Sequence, residues 1–280
     1  MPVYRIVWVH GIGPVKAGYS DSWRAAFNTY MQFPDLDFIE VLWDTVFALA
    51  APVAPATGQL APALTLSPQE QAAEAVLRLD LQAGLGARLA ALGHSPLADQ
   101  LRLAPGVGGF SFPLPSLPPD FFTDAYIGQF TKYLASPTIR SAVKAKVKEQ
   151  LRPLAGSGDL VTVIAHSWGT AVAYESLMDL HAEQLNLPIA NFITLGSPLW
   201  VVRPFLDYNA GLKPAQVTAW LNVFAEGDFV GSYLKPSYQV DNDQEMPNFG
   251  GGDPHGSYFV PGNVAVQRDL VARAILPAGA

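Results

Sequence analysis

Residues 159–177, DLVTVIAHSWGTAVAYESL, decide how the rest of the chain is read. The first half is a near-continuous run of β-forming residues, the pattern of a strand buried on both faces. The second half carries helix-forming residues, and Ser167 stands at the junction. A strand that turns this abruptly into a helix lifts one side chain out of the turn, and the bend demands small residues two places before and two places after it. Ala165 and Gly169 occupy those places. The consensus residue at the first is glycine, so Ala165 departs from it by one methyl group. A helix opening near Trp168 aims N–H groups and the positive end of its dipole at Ser167, which favours negative charge forming there. Ser167 is therefore a candidate nucleophile. Ser197, in LGSPL, has no helix directly behind it and reads as a turn.

Outward from this segment, Val- and Ile-rich strands alternate with helical stretches, which predicts an α/β class with a parallel sheet covered on both faces. The strands are expected near 3–9, 38–43, 159–165, 190–195 and 217–225, and the helices near 21–32, 121–135, 138–152, 168–184 and 263–275. The first strand runs into a glycine-rich loop, VWVHGIGPVKAG at 7–18. A dinucleotide fingerprint needs a third glycine where Lys16 stands, and Pro14 removes one of the backbone donors such a loop uses. A phosphate loop fails as well, because Tyr19 and Ser20 replace the Lys-Ser/Thr pair. Phosphate binding is thus disfavoured, and the use of these glycines is settled by residues elsewhere in the chain.

Taken together, AHSWG at 165–169 and VHGIG at 9–13 resemble the α/β-hydrolase family, over roughly residues 1–44 and 120–280. The resemblance implies an α/β-hydrolase fold, mainly a parallel sheet with helices on both faces and here a cap-like insertion. The sheet would begin at the strand before the HG loop, without the antiparallel strands that commonly precede it. In that family the HG loop and the residue after the nucleophile supply the oxyanion hole, which by resemblance assigns the backbone amides near Gly11 and Ile12 and that of Trp168. The triad follows in the order Ser, acid, His. Asp228, in EGDFVG just after the strand VTAWLNVFA, is the leading acid, with Glu226 and Asp207 as rivals. His255, in GGGDPHGSYF, is the histidine left beyond it and the implied base. The implied activity is that of a lipase/esterase-like serine hydrolase, cleaving a carboxylic ester or related acyl bond through an acyl-enzyme, with no cofactor and no metal. An acyltransferase or thioesterase with the same triad is an alternative, and so is a non-catalytic hydrolase-fold binding protein.

Composition bounds the partners. The chain has 280 residues, half of them hydrophobic and 15% charged, and it carries a net charge of −7. That balance argues against nucleic acid or an anionic membrane surface. A small acyl ester substrate is what the resemblance implies, and the apolar residues of 46–56 and the leucines of 77–89 point to an apolar one. There is no cysteine, hence no thiolate nucleophile or disulfide. The N-terminal VYRIVWV lacks the basic region and cleavage site of a leader, so a cytoplasmic location is expected. The most apolar stretch, VFALAAPVAPA at 46–56, is interrupted by Pro52 and Pro55 and falls short of the about 20 residues of a membrane span. Peripheral contact with lipid stays open.

The chain is expected to form one domain, 1–280, in which residues 45–120 are an insertion, either a cap or lid over the site or an extra packing layer. Ser67-Pro68-Gln69-Glu70 carries the marks of a capped helix start. Leu77, Leu81, Leu85 and Leu89 then give that helix one apolar stripe, and the Pro-rich 111–120 reads as an extended return. Of the remaining histidines, His10 is placed to shape the oxyanion loop, His166 to orient toward neighbouring structure, and His94 and His181 carry no motif. Asp241, Asp243 and Glu245 start like a calcium loop but have Met246 where glycine is needed, and read as a solvated acidic turn. Lys144, Lys146, Lys148 and Arg152 read as ordinary helix surface.

Overall fold

The Val- and Ile-rich segments pair as expected: β1 (Tyr4–Val9), β2 (Leu36–Val41), β3 (Leu160–His166), β4 (Ile189–Leu195) and β5 (Val217–Ala225). This is a computed structural model, and it describes residues 3–12, 15–21, 23–25, 36–48, 64–92, 127–247, 254–259 and 263–275. The expected helix near 21–32 beyond Ala25, most of VFALAAPVAPA, His94, the Pro-rich return at 111–120 and the first residues of the helix near 121–135 lie outside the described residues.

A sixth strand, β6 (Asn242–Met246), pairs with β5. It corrects the reading of Asp241–Glu245 as a solvated turn. NDQEM lacks the apolar alternation of a strand because β6 is the sheet's edge, and its residues are largely half-buried or exposed. Polar residues there also discourage pairing with another chain.

The sheet runs β2-β1-β3-β4-β5-β6 with every neighbouring pair parallel, an α/β architecture. The chain leaves β1 toward β2 on one side and returns through β3 on the other. Loops that part in this way open a crevice at the carboxyl end of the strands. In the β1–β3 register Val9 lies opposite Ala165, so two residues further on Gly11 and Ser167 stand level at that end.

Alternation along the strands builds two cores. Val7, Val9, Val161 and Val163 face the long helices, whereas Ile6, Trp8, Ile164, Ile193 and Val223 face Trp23, Tyr258 and the C-terminal helical segment. The long helices are α1 (Pro68–Ala91), α2 (Ile127–Ala135), α3 (Pro137–Leu151) and α4 (Gly169–Ala182). Where a helix is expected near 263–275, the chain forms a π-helix over Ala265–Ala272 that continues as α-helix to Ile275.

Helix α1 begins as its sequence dictates: Glu70 donates its N–H to Ser67 Oγ at 3.3 Å, and the Glu70 carboxylate accepts from the Ser67 N–H at 2.7 Å. Leu81, Leu85 and Leu89 are buried in the same core as Phe130, Trp168 and Leu199. The leucine stripe of this helix is thus taken up by the core. Leu85→Ala should lower the unfolding free energy by about 2–5 kcal/mol. Leu79→Ala, on the same helix at 66% exposure, should change it by no more than about 0.5 kcal/mol. Urea denaturation checks both, and equal effects would contradict the packing.

Candidate active site

Ser167 sits at the top of β3 with φ 53°, one of two non-glycine residues at positive φ among the described residues. A non-glycine residue held in this left-handed region is costly, and it persists only where the surroundings enforce it. Here they do. The Ser167 N–H donates to Leu195 O at 2.9 Å, and its carbonyl accepts from Thr170 N at 2.9 Å and Thr170 Oγ1 at 2.7 Å. Gly169 begins α4 against the loop after β1, where a Cβ would stand 2.0 Å from His10 O, so only glycine fits. A Cβ on Gly11 would likewise lie 2.8 Å from Ser167 Cβ, which measures how tightly the HG loop presses on the serine.

The three residues expected to form a triad meet here. Ser167 Oγ lies 2.8 Å from His255 Nε2, and His255 Nδ1 lies 3.0 Å from each oxygen of Asp228. All are buried, at 3%, 8% and 1% exposure, so the contacts work in a medium that screens charge poorly. Asp228 Oδ1 also accepts from the N–H groups of Val230 at 2.8 Å and Gly231 at 3.0 Å, and Oδ2 from the Tyr258 hydroxyl at 2.6 Å. Burial pushes the Asp228 carboxyl up, but the His255 ring, the Tyr258 hydroxyl and the Gly231 N–H outweigh it and leave the group lowered to about 2. The carboxylate is therefore ionised at neutral pH and accepts the Nδ1 proton, so Nε2 is the ring nitrogen that faces the serine hydroxyl.

The rival acids are elsewhere. Asp207 pairs with Arg140 at 2.5 Å and Lys144 at 3.4 Å, and Glu226 is exposed. Ser197 is buried against Thr170 Oγ1 at 2.8 Å, with its oxygen also accepting the Leu199 N–H. Lys144 is not ordinary surface: it is 7% exposed and neutralises Asp179 and Asp207. Around the expected oxyanion hole, the N–H groups of Ile12 and Trp168 are not taken up by any other described backbone group. The Trp168 ring is buried against Phe130, with ring centroids 4.2 Å apart.

No protein-family model matches the chain, and no curated protein does. Among solved structures it is similar to an uncharacterized protein from Pseudomonas aeruginosa, with 10% identity and a TM-score of 0.35. The match covers 98% of this chain, which spans 45% of the length of that structure.

Two contacts at the site were not legible beforehand. Tyr258 links the base loop to the acid, since its hydroxyl donates to Asp228 and accepts the Ala225 N–H at 2.7 Å. Its position three residues after His255 is the one signal in the sequence. His166 Nε2 donates to the backbone carbonyl of His255 at 3.0 Å, with the two rings 4.7 Å apart. Burial, followed by the neighbouring His255 ring, lowers His166 to about 3, so it makes that contact as a neutral donor.

The lowered carboxyl has a thermodynamic consequence. Its folded pKa lies below the unfolded value of about 4, so Asp228 contributes stability that is present above about pH 4 and lost as pH falls through about 2. The stability gap between wild type and Asp228→Asn should narrow by on the order of 2 kcal/mol over that window. Denaturation curves recorded from neutral to acid pH check this, and a gap that stays constant would contradict it.

Proposed function

We propose that the chain is a serine hydrolase of the α/β-hydrolase type that cleaves a carboxylic ester or a related acyl bond. The observation carrying this reading is the continuous hydrogen-bond path from Ser167 Oγ through His255 to Asp228. A hydroxyl is a weak nucleophile at neutral pH, and a base within hydrogen-bond reach, itself oriented by a carboxylate, is what activates it.

In the proposed reaction Ser167 Oγ attacks the acyl carbon while His255 Nε2 takes its proton. The imidazolium that forms is stabilised by Asp228, which stays ionised throughout. The tetrahedral oxyanion is bound by the N–H groups of Ile12, on the loop at Gly11, and of Trp168 at the start of α4, where the helix dipole adds to them. Collapse expels the alcohol, which takes the proton from His255. Water then repeats the sequence on the acyl-enzyme, releases the acid and returns Ser167. The scheme draws on no cofactor. A relic site used only for binding would not need the serine, base and acid held in one hydrogen-bonded line, which favours catalysis over a non-catalytic role.

Nothing in this chemistry discriminates between water, alcohol or thiol partners, so the test begins with the nucleophile. A fluorophosphonate probe should label wild type at Ser167, and Ser167→Ala should abolish both labelling and turnover of p-nitrophenyl acyl esters and acyl thioesters. Labelling that persists at another serine would overturn the assignment. Asp228→Asn should lower kcat by about 10⁴, as expected when the imidazole loses its orienting charge. Steady-state kinetics on a folded variant measures it.

A further inference from the structure

The pair His10 and Asp44 is buried beside the nucleophile, at 4% and 7% exposure, and takes no part in the scheme above. Placing a carboxylate out of water costs several kcal/mol unless it is well paired. Asp44 is paired sparingly: Oδ2 accepts the Val15 N–H at 3.1 Å, and Oδ1 lies 3.3 Å from His10 Nε2, an ion-pair distance without the alignment of a hydrogen bond. Burial pushes the carboxyl up, yet His10 and the Val15 N–H hold it below its ordinary value. It is a charged group where an apolar one would pack.

The other side of the imidazole indicates what that charge is for. His10 Nδ1 is 2.6 Å from the carbonyl oxygen of Gly11. A carbonyl only accepts, so Nδ1 is the donor, and the contact of Nε2 with the Asp44 carboxylate is attractive when that nitrogen carries a proton as well. The peptide unit is planar and trans, which points the Gly11 C=O and the Ile12 N–H in opposite directions. Holding the carbonyl on the imidazole therefore turns the Ile12 N–H away from it. The ring cannot easily swing to release the carbonyl, because it is stacked on Trp43 with centroids 5.0 Å apart and planes 8° apart, and edge-on to Tyr19 at 5.2 Å. The backbone of His10 is clamped too, by Trp43 Nε1 donating to its carbonyl at 2.9 Å.

We propose that Asp44, acting through His10, is a positioning residue that sets the Gly11–Ile12 peptide unit and so aims the Ile12 N–H into the oxyanion hole. The inference rests on the hydrolase reading above. Asp44 anchors the loop at two points, on the imidazole that holds Gly11 and on the Val15 N–H further along. It also ties the loop after β1 to the turn that follows β2, so the hole is braced from the neighbouring strand.

The test compares wild type with Asp44→Asn, which keeps the shape and an acceptor for Val15, and with His10→Phe, which keeps the stack on Trp43 but has no donor. Loss of a whole oxyanion donor costs about 10²–10³ in kcat. Each variant should lose about 10- to 100-fold in kcat per fluorophosphonate-titrated Ser167, with KM on a p-nitrophenyl ester changed by no more than about twofold. Affinity for a trifluoromethyl ketone, whose adduct with the serine carries the oxyanion, should fall in parallel with kcat/KM. A merely structural role would lower the melting temperature or the fraction of titratable sites and leave kcat per titrated site and ketone affinity unchanged. That result in both variants would overturn the inference while leaving the hydrolase reading intact. Wild-type chain without Ser167-dependent turnover would overturn both.

Discussion

The start of α4 rests on the carbonyl of His10, with no room for even a methyl group at Gly169. This close approach locks the loops of two neighbouring strands together, and the rest of the site depends on it. Parallel pairing of β1 with β3 brings Gly11 level with Ser167, and the seat of the helix on the loop then forces the sharp turn that leaves Ser167 at positive φ. Hydrogen bonds from Thr170 to the Ser167 carbonyl and from the Ser167 N–H to Leu195 hold the strained residue from both sides. Strain of this kind, on the order of 1–3 kcal/mol, is tolerated because so many contacts over-determine the turn.

Asp228 is arranged on a different principle. Asp228 lies in a buried place where an isolated carboxylate would take up a proton, and hydrogen-bond donors reverse that tendency. Two of them are backbone N–H groups of its own turn, one is the Tyr258 hydroxyl, and one is the His255 ring. Tyr258 and His255 lie on the same short segment, so one stretch of chain delivers both the imidazole and a clamp for the Asp228 carboxylate. His166, beside the nucleophile in sequence, holds the His255 backbone from the opposite side. Ser167, His255 and Asp228 thus come from three separate loops, and the His255 loop is tied by hydrogen bonds to each of the other two.

Legibility differed from element to element for physical reasons. The capping box at Ser67 and Glu70 is local, so four residues sufficed to read it. β3 and β5 are buried through most of their length, and their largely apolar, β-forming runs announced them. β6 escaped because an edge strand has no need of an apolar pattern, and its acidic residues serve the turns instead: Asp243 accepts from the N–H groups of Leu234 and Lys235 and from Asn222. Lys144 was misread because its spacing on the helix carries no sign of the Asp179 and Asp207 carboxylates that pack over it from distant segments. The leucine stripe of α1 was legible as apolar, but whether it faced the core or a substrate depended on which surface came to meet it.

The sequence by itself determined the class of fold, the strand-to-helix turn at Ser167 and, with His255, a short set of acids from which a triad could be built. Those features are encoded in periodicity and in short motifs, where neighbours along the chain are also neighbours in space. Only the tertiary structure decided that Asp228 and not Asp207 or Glu226 meets His255, that Tyr258 and His166 brace the pair, and that Asp44 stands behind the loop after β1. Each of those contacts joins segments far apart in the chain or turns on side-chain direction. Proximity of that kind is set by sheet order and by the close packing of buried side chains, and no spacing of residues along the chain carries it.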